Sequence, residues 1–342
     1  MTTTTEGSTT LLEVDGLEVH FPIVTGLLRR TKGYVRAVDD VSFSVREGET
    51  LALVGESGCG KTTAGRAILR AVEPTGGEVV YRMRDDSRVS TTTSDVRIQK
   101  LLRQEMQIIF QDPFASLNPR MTIFDIVADP LRVNHLASGR ELEDRVTEIL
   151  QLVGLSPQYM RRYPHAFSGG QRQRIGIARA LVMNPRLVVA DEPVSALDVS
   201  VQAQILNLLQ DLQSKLGLSY LFISHDLSVV QYISHRVAVM YVGKIVEVAS
   251  TKSLFTEPRH PYTQALLDSV PVADPEVHSQ SAALGGEVAD PANPPSGCYF
   301  HPRCPYAKEV CKTTEPPLVE VPSDHIVSCH FAAELKLPGV PE

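Results

Sequence analysis

The sequence has no tryptophan, and no apolar run in it approaches the roughly 18 to 20 residues that a membrane-spanning helix needs. Its first ten residues, MTTTTEGSTT, have neither the basic segment nor the apolar core of a secretory signal. A cytosolic chain is therefore expected, with any membrane role exercised through partners. A general excess of basic residues is also missing: the formal net charge is −7, which argues against a protein that holds nucleic acid through bulk charge. No internal repeat of solenoid length is present. Cysteine is scarce and unevenly placed, with Cys59 alone and Cys298, Cys304, Cys311 and Cys329 gathered near the end. In a cytosolic protein such a group points to a metal site before it points to disulfides.

What is present is the composition of a packed protein, 43% hydrophobic and 21% charged over 342 residues, which excludes disorder as the dominant state. Residues 1–10, rich in threonine, are expected to form a mobile tail. The polar stretch from Asp85 to Asp95 is predicted as an exposed loop. Val41–Val45, Leu51–Gly55, Leu187–Asp191 and Tyr220–Ser224 read as strands, and Arg236–Ala249 as two strands turning at Gly243. Leu142, Val146, Ile149, Leu150 and Val153 recur at helical spacing before Gly154, as do Val201, Ile205, Leu208, Leu209, Leu212 and Leu216 before Gly217. Strand, helix, strand is the rhythm of a parallel α/β sheet. From about Thr256 the chain turns proline-rich, which marks a boundary.

Gly55–Thr62 reads GESGCGKT, a G-x-x-x-x-G-K-[ST] loop preceded by an apolar strand and followed by a helix-compatible run. Glycines let the backbone curl so that N–H groups and a helix N-terminus face phosphate oxygens. Candidate ATP ligands are Gly55, Ser57, Gly58, Cys59, Gly60, Lys61, Thr62 and Thr63. Lys61 would reach the β and γ phosphates and Thr62 would ligate Mg²⁺. Cys59 is read as a small space-filling residue. A phosphate loop alone is shared by many unrelated enzymes.

Four further segments narrow the reading. Ser168–Gln171 sits in FSGGQRQRIGIARAL, where Ser168 can cap a helix and Gly169 and Gly170 let a phosphate approach its positive end. Taken alone, the segment leaves a plain capped helix with a basic face as the lesser alternative. Asp191 and Glu192 end the apolar run LVVADEP; Gln111 follows IIF; His225 follows YLFIS. Taken in chain order over residues 55–225, from the phosphate loop through Gln111, Ser168–Gln171 and Asp191–Glu192 to His225, the motifs resemble those of the ABC ATPase family. The resemblance implies that Asp191, Thr62 and Gln111 hold Mg²⁺, and that Glu192 deprotonates the attacking water. It also implies that His225 contacts the γ-phosphate, and that Asp198 in SALD couples the halves of a dimer. Catalytic candidates are thus Glu192, His225, Lys61 and Gln111. Ser168, Gly169, Gly170 and Gln171 would act on ATP held by a second ATPase. Phe21 or Tyr34, with Phe21 favoured, would stack on adenine; GLLRRTKG between them resembles an insertion.

The segments HPYTQALLDSVPVADP (His260–Pro275), CYFHPRCPYAKEVC (Cys298–Cys311) and QDPFASLNPRMT (Gln111–Thr122) resemble ATPase subunits of bacterial oligopeptide and dipeptide importers. The expected architecture is a P-loop NTPase with a RecA-type parallel sheet. A tail at 1–10 precedes an ATPase domain at 11–255 with a helical subdomain near 112–184, and a cysteine-rich extension occupies 256–342. The resemblance implies a second ATPase, a paralogue in a heterodimer, two permease subunits, an extracytoplasmic binding protein, and a peripheral position on the inner face of the membrane. Nickel or another small solute as cargo, a non-transport ABC ATPase, and a regulatory subunit are the competing readings. The spacing C-x5-C-x6-C-x17-C matches neither a ferredoxin nor a zinc finger. The family resemblance tilts the group toward a structural [4Fe–4S] cluster over Zn²⁺, with His301, His325 and His330 as further donors.

Overall fold

Short apolar runs become strands and amphipathic runs become helices in the computed structural model, which describes residues 9–25, 30–93, 95–269, 286–322 and 325–340. In chain order the first half comprises β1 (Thr10–Thr25), β2 (Arg30–Arg46), β3 (Thr50–Val54), α1 (Lys61–Ile68), β4 (Gly76–Arg82), β5 (Arg88–Ser90), α2 (Val96–Glu105), β6 (Met106–Ile109), α3 (Ile123–Val133) and α4 (Gly139–Leu152). The second comprises α5 (Gly169–Leu181), β7 (Leu187–Asp191), α6 (Val199–Leu216), β8 (Ser219–Ser224), α7 (Leu227–Ile233), β9 (Arg236–Tyr241), β10 (Lys244–Ser250), α8 (Thr251–Thr256), α9 (Pro261–Asp268), α10 (Glu309–Thr313), β11 (Val319–Val321) and β12 (His325–Val327). Most of the expected tail lies outside the described residues, and β1 already begins at Thr10. Two compact units form. One holds Val45–Glu49 and Tyr81–Ile223 with the residues up to Leu11; the other holds Leu12–Ser44, Thr50–Val80 and Ser224–Glu342.

In the first unit β6, β7 and β8 run parallel, with Met106 opposite Leu187 and Leu187 opposite Ser219. Every residue of β7 and β8 is buried. Strands covered on both faces carry unbroken apolar runs rather than alternation, which is why LVVAD and YLFI read so plainly. Between Asp112 and Asn184 all regular elements are helical. α4 buries Leu142, Val146, Ile149 and Leu150, the stripe its spacing predicts. α6 ends at Gly217 in a left-handed conformation. The Asp85–Asp95 stretch departs from expectation, because Arg88–Ser90 forms the short strand β5 behind a turn in which Met83 N–H bonds Ser87 O at 2.8 Å.

In the second unit β3 and β9 are parallel, while β9, β10, β12 and β11 follow one another antiparallel. The sheet, expected as RecA-type and parallel, is therefore mixed here, beginning with the two strands read on either side of Gly243. The C-terminal strands β11 and β12 add to it through β10, with Glu247 opposite Val327. The extension also enters the core. Tyr262 and Phe300 pack with Val54, Val239 and Tyr241 in one buried cluster. The rings of Tyr241, Tyr262 and Phe300 lie 4.7 to 5.4 Å apart, and aromatic pairs of this kind contribute about 0.5–1.5 kcal/mol beyond their burial. Among the described residues no helix is long and apolar enough to cross a membrane.

Candidate functional site

The loop between β3 and α1 is bent by glycines. Gly55 has φ 152° and Gly60 φ 106°; a Cβ at Gly55 would stand 2.1 Å from Met240 O, and one at Gly60 1.9 Å from Ala37 O. Only glycine fits those two positions. Gly60 is the N-cap of α1, so the helix's first free N–H groups open directly onto the loop. Lys61, buried to 5% exposure, turns back into it: its Nζ donates to Gly55 O at 2.7 Å and Glu56 O at 3.0 Å. An ammonium held inside a glycine-bent loop at a helix N-terminus suits a polyphosphate. Cys59 is buried, and burial pushes its thiol up, which keeps it a protonated filler as the sequence suggests.

The same unit holds His225, exposed between β8 and the Asp226 N-cap of α7. Of the two aromatic candidates, Phe21 is 42% and Tyr34 54% exposed. Neighbours alternate faces along a strand. His20 therefore turns toward Asp39, at 3.2 Å, while Phe21 points the other way. His20, Tyr34 and Arg36 line a cavity of about 600 Å³ together with Tyr299 and Pro294 of the C-terminal segment; Phe21 does not. Burial pushes the Asp39 carboxyl up, but the Tyr299 hydroxyl at 2.8 Å, Lys244 and Arg36 outweigh it and hold the group below its ordinary value.

In the other unit Asp191, 1% exposed, ends β7, and Glu192 follows with φ 46°. A non-glycine residue in that region, here also preceding Pro193, costs about 1–3 kcal/mol and persists only where its surroundings impose it. Glu192 N–H bonds Ile223 O at 3.0 Å, and Gln111 Nε2 donates to Glu192 Oε2 at 2.8 Å. Two sequence candidates 81 residues apart thus meet. Ser168 caps α5 through a reciprocal box: its Oγ accepts from Gln171 N at 3.4 Å, while Gln171 Oε1 accepts from Ser168 N at 3.1 Å. Gly170 has a second reason to be glycine, since a Cβ there would come within 2.5 Å of Val201 on α6. Asp198 is the N-cap of α6; hydrogen bonds from Ser200 and Val201 N hold its carboxyl below the ordinary value.

Cys298, Cys304, Cys311 and Cys329 line one pocket together with Phe300, Pro316, Phe331, Leu335, His301 and His330. His325 is not there: it is fully buried against Glu247 at 2.8 Å. The thiols form no disulfide. Burial, reinforced by the neighbouring thiols, pushes Cys298 up to about 12 and Cys304 up to about 11. The cavity between them measures about 20 Å³, room for one water. Among the described residues no three His, Cys, Asp or Glu side chains come together as ligands of one metal ion.

Sequence reasoning missed Glu56, whose carboxylate is gripped by Arg303 at 2.7 and 3.0 Å and whose N–H bonds the Tyr262 hydroxyl at 2.9 Å. Glu56 occupies a variable position of the loop motif, and no local pattern signals a partner so distant in the chain.

Residues 38–195 match the ABC transporter family model, and residues 246–311 match the model of the oligopeptide/dipeptide transporter C-terminal region. The chain is 52% identical to the oligopeptide transport ATP-binding protein AppF of Bacillus subtilis, over 94% of this chain and 97% of that one. It is 50% identical to the probable peptide ABC transporter ATP-binding protein y4tS of Sinorhizobium fredii, over 95% and 91%. Among solved structures, the ATP-binding cassette MJ0796 bound to ADP and Pi superposes with a TM-score of 0.60 at 27% identity, over 70% of this chain and 99% of that one. CbiO1 of Clostridium perfringens does so with a TM-score of 0.60 at 26% identity, over 72% and 91%.

Proposed function

The chain belongs to the ATP-binding proteins of peptide ABC transporters, and on that premise we propose that it hydrolyses ATP to drive import of dipeptides or oligopeptides. The observation that carries the ATPase reading is the glycine-bent loop with Lys61 at its centre and α1 opening onto it. The peptide reading rests on the C-terminal region, residues 246–311.

In this reading the loop N–H groups and Lys61 bind the phosphates, and Phe21 or Tyr34 takes the adenine face. Glu192 accepts a proton from the attacking water, and Gln111, bonded to it, orients it. His225 steadies the charge that develops on the γ-phosphate. Thr62, Asp191 and Gln111 would hold Mg²⁺, which neutralises charge on the β and γ oxygens when bound. The capped start of α5, Ser168 to Gln171, acts on ATP held by a second ATPase subunit, a paralogue, with Asp198 coupling the two. The helical residues 112–184 meet two permease subunits at the inner face of the membrane, and an extracytoplasmic binding protein delivers the cargo.

The four cysteines line one pocket and would supply the soft donor set of a [4Fe–4S] cluster, with Zn²⁺ as the alternative. The narrow cavity requires the pocket to widen around it. In this reading the group's role is structural. Elemental analysis of purified protein should find iron; neither iron nor zinc would sink this assignment.

The function is tested by co-purifying the chain with its membrane subunits and binding protein and measuring ATP hydrolysis in proteoliposomes. Short peptides should stimulate turnover. Stimulation by nickel or another solute and by no peptide would overturn the cargo reading.

A further inference from the structure

We infer that Arg303 and Tyr262 of the C-terminal segment are positioning residues of the phosphate loop, acting through Glu56. Arg303 forms a bidentate pair with the Glu56 carboxylate at 2.7 and 3.0 Å, and its side chain is 4% exposed. Its guanidinium lies over the rings of Tyr241 and Phe300 at 5.8 and 6.0 Å, so its direction is fixed by packing as well as charge. Tyr262 accepts the Glu56 N–H at 2.9 Å, and Glu56 O accepts from Lys61 Nζ at 3.0 Å. One loop residue is therefore held at three points, two by the C-terminal segment and one by the lysine that the proposed ATP site uses. Tyr262 is itself set by its neighbour: its N–H donates to the Nδ1 of His260, the N-cap of α9.

The consequence is electrostatic as well as steric. Glu56 puts a carboxylate inside a loop that must receive a triphosphate, and a like charge there opposes binding. Arg303 neutralises it and pulls it to one side. The C-terminal region thereby prepares the nucleotide site in addition to extending the sheet.

This inference rests on the reading of Gly55–Thr62 as the ATP site, and the test separates the two. ATP affinity with Mg²⁺ is measured by calorimetry on the full chain, alongside the thermal midpoint of each variant. Wild type that binds ATP, and Lys61→Ala that does not, establish the site; failure of either sinks that reading. Arg303→Ala should raise Kd about tenfold, because the carboxylate is left uncompensated beside the phosphates. Adding Glu56→Gln to Arg303→Ala should restore Kd to within about threefold of wild type, since no charge then needs a partner. A merely structural Arg303 predicts no such recovery. Tyr262→Phe, which keeps the packed ring, should raise Kd about threefold and serves where Arg303→Ala does not fold. Unchanged Kd in Arg303→Ala, no recovery in the double variant, or unchanged Kd in Tyr262→Phe would each overturn the inference.

Discussion

Replacing Glu247 by alanine should detach the C-terminal segment from the sheet it extends. Glu247 is fully buried on β10, where one carboxylate oxygen accepts from Arg259 N and His325 Nδ1, both at 2.8 Å, and the other from His260 N at 3.0 Å. Alanine leaves three donors in a site closed to water. A buried orphan donor costs about 1–3 kcal/mol, and breaking a buried pair of this kind about 3–5 kcal/mol in total once the site relaxes. Against an overall stability of about 5–15 kcal/mol that is a large fraction. Urea unfolding of the full chain followed by circular dichroism should show the midpoint fall steeply. Glu247→Gln, which keeps an acceptor oxygen, should lose about half as much. A loss below about 1 kcal/mol in Glu247→Ala would refute the claim that this carboxylate ties Arg259, His260 and His325 to β10.

Two other outcomes follow from single residues. Gly55→Ala brings a Cβ within 2.1 Å of Met240 O at a φ that disfavours side chains, so ATP affinity should fall by more than tenfold while the rest of the fold survives, as read by calorimetry and circular dichroism. Burial pushes His260 down from its ordinary 6.5 to about 4, against the opposing pull of Glu247. The neutral form is favoured in the folded state, so its stabilising contribution is complete above pH 6.5 and is lost as pH falls from there toward 4. The urea midpoint should fall across that window in wild type and fall less in His260→Asn, which can still cap α9.

The parts legible in the sequence are those whose geometry is written locally. Gly55, Gly60 and Lys61 announce a loop because only glycine takes those backbone angles, and Ser168 with Gln171 announces a capped helix because the box closes within one turn. The buried strands β7 and β8 announce themselves as apolar runs. The proximity of Gln111 to Glu192 came only through the family resemblance, since residues 81 apart share no periodicity. The extension of the second unit's sheet by β11 and β12 was not legible, because they are three residues each and carry no alternation long enough to read. β5 was hidden for the same reason inside a polar stretch. The grip of Arg303 on Glu56 spans 247 residues and belongs to tertiary packing alone.

Glu192, held at φ 46° directly after β7 and bonded to Gln111, takes the proton from the attacking water in the proposed reaction. In the assembled transporter, Glu192→Gln should leave ATP affinity at this chain's site near that of wild type. Hydrolysis of that ATP, followed by release of labelled phosphate, should slow by about 10²–10⁴-fold. Hydrolysis at the wild-type rate in that variant would contradict this role for Glu192.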